Sequence, residues 1–215
     1  MPFELVIFDC DGVLVDSELL SNRILAEAVN ALGLPMSLEE TIDTFMGRSL
    51  QACLTIIEAR IGRAVPPGWT DDFREQTFAA FRRELRAVDG VEAALDRIDT
   101  PMCVASSGPP EKIRLTLGLT GLLPRFDGRI FSAYDVGRGK PHPDLFLHAA
   151  RCMGVQSAAC AVVEDSVHGV QAGIAAGMQV FGYVSLTDGA VLAAHGARVF
   201  RTMDELPRLL GSRRA

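Results

Sequence analysis

A chain of 215 residues that is 48% hydrophobic, 22% charged and 7% aromatic is apolar enough to bury a core, and its pattern is too interrupted for a fibre, which excludes a disordered tail or a coiled coil. With 21 Lys plus Arg against 27 Asp plus Glu, the formal charge of -6 excludes nucleic acid and anionic membranes as expected partners. A small phosphorylated metabolite is still allowed, because a local cation outweighs diffuse surface charge at short range. The five cysteines (Cys10, Cys53, Cys103, Cys152 and Cys160) are odd in number and never spaced C-x-x-C, which argues against a zinc site or disulfide framework and for a reducing compartment. No basic-led leader and no apolar run of roughly 20 residues is present, so a soluble cytoplasmic protein is expected.

In chain order, Leu5-Val6-Ile7-Phe8 is a continuous apolar run ended by Asp9, which suits a strand buried on both faces of a parallel sheet. The interval from about Ser17 to Leu85 then reads as helices only: Ser17 to Leu32 closed by Gly33, Leu38 to Phe45, Ser49 to Ile61, and Thr70 to Leu85. The breaker cluster Val65-Pro66-Pro67-Gly68 separates the last two, and the sheet is expected to resume near Val88. Further strand-like runs follow at Met102 to Ala105, Ala159 to Val163 and Val180 to Val184. Helical patterns lie between them at Glu111 to Leu117, Asp144 to Met153, and Val167 to Ala176 before Gly177. The alternation predicts a doubly wound α/β core with a parallel sheet over residues 1–15 and 87–215, and a smaller inserted helical domain over 16–86.

Chemistry concentrates at Phe8-Asp9-Cys10-Asp11-Gly12. Two carboxylates two residues apart at a buried strand end repel each other unless a cation sits between them or one takes a proton. Gly12 permits a sharp turn that can aim backbone carbonyls at a metal. Read instead as turn and cap residues, the pair leaves unexplained why two acids directly follow four apolar residues.

The segment Asp9-Cys10-Asp11-Gly12-Val13-Leu14-Val15-Asp16-Ser17 resembles the first motif of the haloacid dehalogenase superfamily of aspartate-nucleophile phosphohydrolases. Ser106-Ser107-Gly108 resembles the second motif, Gly139-Lys140-Pro141 the third, and Val162-Val163-Glu164-Asp165-Ser166 the fourth. The likeness covers nearly the whole core, in family order, and is closest to the helical-cap branch of β-phosphoglucomutases and sugar-phosphate phosphatases. Thr100 to Val104 and Phe131 to Val136 look like the corresponding segments of 6-phosphogluconate phosphatases.

The resemblance implies a magnesium-dependent phosphatase of a small sugar or sugar-acid phosphate. Asp9 would be the nucleophile and Asp11 the general acid and base, with Ser106 and the Ser107 amide on the phosphoryl group and Lys140 neutralising charge. Mg2+ would be held by Asp9, the Asp11 main-chain carbonyl and Asp165, with Glu164 acting through water. Gly47 and Arg48, in the loop Phe45 to Ser49, would contact substrate. Arg48 is a candidate partner for a second phosphate or carboxylate, against the plainer reading of a surface arginine beside a helix start. A monomer is expected, with a weak homodimer as the alternative.

Rival chemistries fit less well. Val104 and Ala105 precede Ser106 where a serine-hydrolase elbow needs glycine, no histidine pair among His142, His148, His168 and His195 has zinc spacing, and Pro141 follows Lys140 where a Walker lysine needs Ser or Thr. A receiver-type phospho-accepting domain has no use for Asp11 two residues after its phosphoacceptor. Mutases of the β-phosphoglucomutase type carry a histidine in the first cap helix where this chain has Ser21, which favours hydrolysis; isomerisation of β-glucose 1-phosphate with a bisphosphate activator would reverse that preference.

Overall fold

The strand run at the start of the chain needs partners on both sides, because every one of its side chains is apolar. In the structure, a computed structural model that describes residues 3–46 and 48–211, Leu5–Phe8 (β1) is fully buried and pairs in parallel with Met102–Ser106 (β2) and Cys160–Glu164 (β4). The chain divides into two units, Met1–Val15 with Arg86–Ala215, and Asp16–Leu85.

The first unit is a parallel sheet of six strands in the order β3-β2-β1-β4-β5-β6, where β3 is Ile130–Ser132, β5 is Gln179–Tyr183 and β6 is Arg198–Phe200. Leu5 and Ile7 face Leu145, Phe146, Val170 and Ala172 on one side of the sheet, and Phe8 meets the Phe126 ring on the other, as strand alternation requires. Strand order reverses between β1 and β4, so the carboxyl ends of these neighbours flank the switch point where open α/β sheets bind ligands.

Among the described residues the second unit carries four helices: α1 (Glu18–Ala31), α2 (Leu38–Phe45), α3 (Leu50–Ile61) and α4 (Trp69–Glu84). They have a core of their own, in which Leu25, Val29, Phe45, Cys53 and Ile57 pack with Trp69 and Phe73. Local chemistry sets the ends. Ser37 and Glu40 form a reciprocal capping box at α2, Ser49 Oγ accepts the Ala52 N–H at α3, and Gly62 closes α3 in the left-handed region.

Past the insertion come α5 (Val91–Asp96), β2, α6 (Pro110–Leu119), α7 (Leu123–Phe126), β3, α8 (Asp144–Cys152), β4, α9 (Val167–Ala175), β5, α10 (Gly189–Ala194), β6 and α11 (Leu206–Leu209). The sheet does not resume near Val88. Ala87 makes only an isolated antiparallel bridge to Val15, Val88 donates to the Leu14 carbonyl, and the next residue but one, Gly90, starts α5 with φ of 75°. One apolar residue before a helix start cannot sustain a strand; β2 begins at Met102. Strands β3 and β6, absent from the sequence reading, are three-residue edge strands too short to show a period. No helix among the described residues is long and apolar enough to cross a membrane.

Candidate active site

Asp9 is the first residue past β1, and its N–H still pairs with the Val163 carbonyl, so the strand backbone aims its side chain. The chain then turns sharply: Cys10 O accepts from the N–H groups of Leu14 and Val15, and Gly12 N–H donates to Val15 O. Cys10, between the two acids, lies buried with its sulfur 3.7 Å from Thr116 Oγ1. Burial and the neighbouring Asp11 and Asp9 push its thiol well above the ordinary range, so it stays neutral and is no nucleophile.

Lys140 organises the buried carboxylates. Its Nζ donates to Asp9 Oδ1 and to Glu164 Oε1, each at 2.7 Å, with 4% of the lysine side chain exposed, and stands 4.9 Å from the Phe146 ring centre. Glu164 is fully buried, and its Oε2 accepts from the N–H groups of Asp165 and Ser166 and from Ser166 Oγ. Both Glu164 oxygens therefore hold donors from this chain. Asp165 Oδ2 accepts from Ser185 Oγ at 2.7 Å. Gly12, with φ of 75°, lets Asp165 approach its backbone: a Cβ there would stand 2.0 Å from Asp165 Oδ2.

The electrostatics follow from burial. Loss of water pushes the Asp9 carboxyl up to about 7, Lys140 opposes that rise, and Glu164 and Asp11 add to it. Burial disfavours the Lys140 ammonium, but Asp9 and Glu164 outweigh it and hold its pKa above the usual lysine value.

A divalent cation fits this donor set. Asp9, Glu164 and Asp165 each offer a carboxylate oxygen within 4.8 Å of the others, all three buried. With Asp11 the cluster holds four carboxylates against the two ammonium groups of Lys140 and Lys112, an excess of negative charge that a hard cation with oxygen ligands neutralises.

Other sequence candidates fall as follows. Ser106 is buried at the end of β2, and its Oγ accepts the Gly108 N–H at 3.1 Å; Ser107 is exposed on the turn. Asp11 pairs with Lys112 at 2.9 Å. Thus β1, β2, β4 and the loop before α8 bring Asp9, Asp11, Ser106, Lys140, Glu164 and Asp165 to one unit of the chain. Arg48 lies exposed in the other unit, where its Nε donates to Thr44 O at 2.9 Å. Gly47 lies outside the described residues. Lys112 and Ser185 escaped the sequence reading, and Ser166 was read only as the end of the fourth motif, with no role of its own. A lysine in a helical stretch and serines next to an acid or after a strand carry no spacing signal that separates them from solvated residues.

The chain as a whole is similar to known proteins in sequence and in structure. A family model described as haloacid dehalogenase-like hydrolase matches residues 3–177. The 6-phosphogluconate phosphatase of Escherichia coli (strain K12) is 35% identical over 211 residues, covering 98% of this chain and 96% of that protein. Among solved structures, a haloacid dehalogenase-like protein of Agrobacterium tumefaciens superposes with a TM-score of 0.86 at 35% identity, covering 97% of this chain and 98% of that one. A Deinococcus radiodurans hydrolase of the same family, solved with bound phosphate and sodium, gives 0.81 at 31% identity, covering 98% and 96%.

Proposed function

Since the chain belongs to the haloacid dehalogenase-like hydrolases and is a phosphoric monoester hydrolase, we propose that it cleaves a small sugar or sugar-acid phosphate, of the 6-phosphogluconate kind, through an aspartyl-phosphate on Asp9. The observation that carries this reading is the buried Asp9 carboxylate at a strand end, held by Lys140 at 2.7 Å beside Glu164 and Asp165.

In the first half of the reaction Asp9 attacks phosphorus in line. As the bond from its oxygen to phosphorus forms, the ester bond breaks, and Asp11 gives its proton to the departing alkoxide oxygen. In the second half Asp11, now a carboxylate, takes a proton from a water that attacks the same phosphorus, releasing inorganic phosphate and restoring Asp9. Lys140 offsets the repulsion between an anionic nucleophile and an anionic substrate. The Ser106 hydroxyl and the main-chain amide of Ser107 hold phosphoryl oxygens. Asp9, Asp165 and the Asp11 main-chain carbonyl would hold Mg2+, with Glu164 acting through water. Bound there, the ion supplies further charge neutralisation at the phosphoryl group. The engagement of both Glu164 oxygens by Lys140, Asp165 and Ser166 supports an indirect role for that residue.

Gly47 and Arg48 are proposed to select the substrate. Arg48→Ala should raise KM for a doubly charged substrate about 10-fold, the loss of one charge-assisted contact; an unchanged KM for every active phosphomonoester removes that role. The function itself is tested by a phosphate-release screen over sugar and sugar-acid phosphates in Mg2+, with chelator and Asp9→Asn as controls. Failure of every phosphomonoester would overturn it.

A further inference from the structure

Lys112 belongs to none of the four motifs, yet its side chain is built into the core unit. Its Nζ stands 2.9 Å from Asp11 Oδ1, with 22% of the lysine side chain and 15% of the aspartate exposed. Its stem passes over Gly108, where even a Cβ would be in ordinary contact, 3.4 Å from Lys112 Cδ and 3.5 Å from Ser106 Oγ, so the stem lies against the turn that carries Ser106. It also sits in the first turn of α6, where the helix dipole disfavours a cation. A partly exposed ion pair does little more than offset that penalty. Folding stability therefore does not account for a lysine at this place, and a local rule broken without structural gain points to the chemistry beside it.

We propose that Lys112 is a positioning residue for Asp11. Its ammonium, anchored through the stem to the turn that carries Ser106, fixes the orientation of the Asp11 carboxylate at the mouth of the β1 turn. The two lysines then divide the work: Lys140 serves the nucleophile and Lys112 the residue that moves the proton. The contact matters most in the second half of the reaction, when Asp11 is a carboxylate facing the attacking water. The inference rests on the two-step reading above, in which Asp11 is acid and then base.

The test is rapid-mixing kinetics of the full chain with p-nitrophenyl phosphate in Mg2+, a substrate whose leaving group departs without a proton. Lys112→Met keeps the stem over Gly108 and removes the charge. It and Asp11→Asn should each release a burst of about one p-nitrophenolate per enzyme at the wild-type rate, then turn over about 10- to 100-fold more slowly. Lys112→Arg should restore the steady rate to within a few fold, and the double variant should be no slower than Asp11→Asn. A wild-type steady rate in Lys112→Met overturns the inference. Loss of the burst in Lys112→Met while Asp11→Asn keeps it also overturns it, since Lys112 would then act on phosphoryl binding or on the fold. Absence of a burst from Asp11→Asn refutes the two-step reading itself, and the inference falls with it.

Discussion

Asp9 combines two demands that oppose each other, since a nucleophile must be ionised and a residue 8% exposed resists ionisation. Lys140 meets part of that demand, and the nearby acids work against it. Asp9→Asn keeps the shape and removes the attacking oxygen's charge, so turnover should fall by at least about 1,000-fold in a phosphate-release assay while the fold persists. The same residue sets a pH trend in the metal-free protein. Its carboxyl ionises at 3.8 ordinarily and near 7 in the fold, so the folded form holds its proton over a window where the unfolded chain has lost it. The stability due to that proton is whole at the acid end and is lost as pH rises through about 7. In chelator, the Tm of the wild type relative to Asp9→Asn should therefore drop between pH 4 and pH 8. A rise over that range would contradict burial as the dominant influence on Asp9.

At the scale of elements, the apolar packing of α9 on the sheet through Val170 and Ala172 is joined in its first turn by a buried carboxylate of β4. Gly169 in the first turn of α9 lies against Glu164, and a Cβ there would fall 1.7 Å from Glu164 Oε1 and 1.8 Å from Cδ. Helix propensity favours Ala over Gly by about 1 kcal/mol. Overpacking costs about 1–3 kcal/mol, and here the atoms that must yield hold Lys140, Asp165 and Ser166, so the steric term wins. Gly169→Ala is expected to lower stability by about 2 kcal/mol in urea unfolding and to reduce activity further by displacing Lys140. A more stable Gly169→Ala protein would mean that Glu164 has room to move aside. Ser166 ties the same corner together, since its Oγ both accepts the Gly169 N–H that caps α9 and donates to Glu164.

At the scale of the molecule, a cation held by the buried carboxylates would couple its binding to folding. An ion at 100 times its dissociation constant adds about 2.7 kcal/mol to a protein that binds it only when folded. For a chain of this length that corresponds to a Tm increase of about 5–10 °C. Adding Mg2+ to chelator-treated protein should give a shift of this size and restore phosphate release together. A metal-independent Tm with full activity in chelator would remove the cation from the reaction.

Much of this was legible in the chain itself. Four consecutive apolar residues before Asp9 can be satisfied only between two strands, and two acids directly after them have no structural use, so Asp9 and Asp11 stand out by residue type and local spacing, whereas Lys140, Glu164 and Asp165 were marked by their resemblance to family motifs. Local signals likewise marked the helices of the inserted unit, because capping serines and periodic apolar positions act within a few residues. What needed the tertiary structure was everything that depends on partners far apart in sequence. Edge strands β3 and β6 exist because neighbours pair with them, not because three residues carry a period. The sheet's late resumption at Met102 was decided by Gly90 starting a helix. The partnership of Lys112 with Asp11, across about a hundred residues of chain, was decided by α6 starting beside the β1 turn. The engagement of Glu164 Oε1 was decided in the same way, by where Lys140 comes to rest, whereas Oε2 is held locally by Asp165 and Ser166. Side-chain chemistry is written residue by residue, whereas the distance between two charges, and hence the energy of their interaction, exists only once the chain has folded.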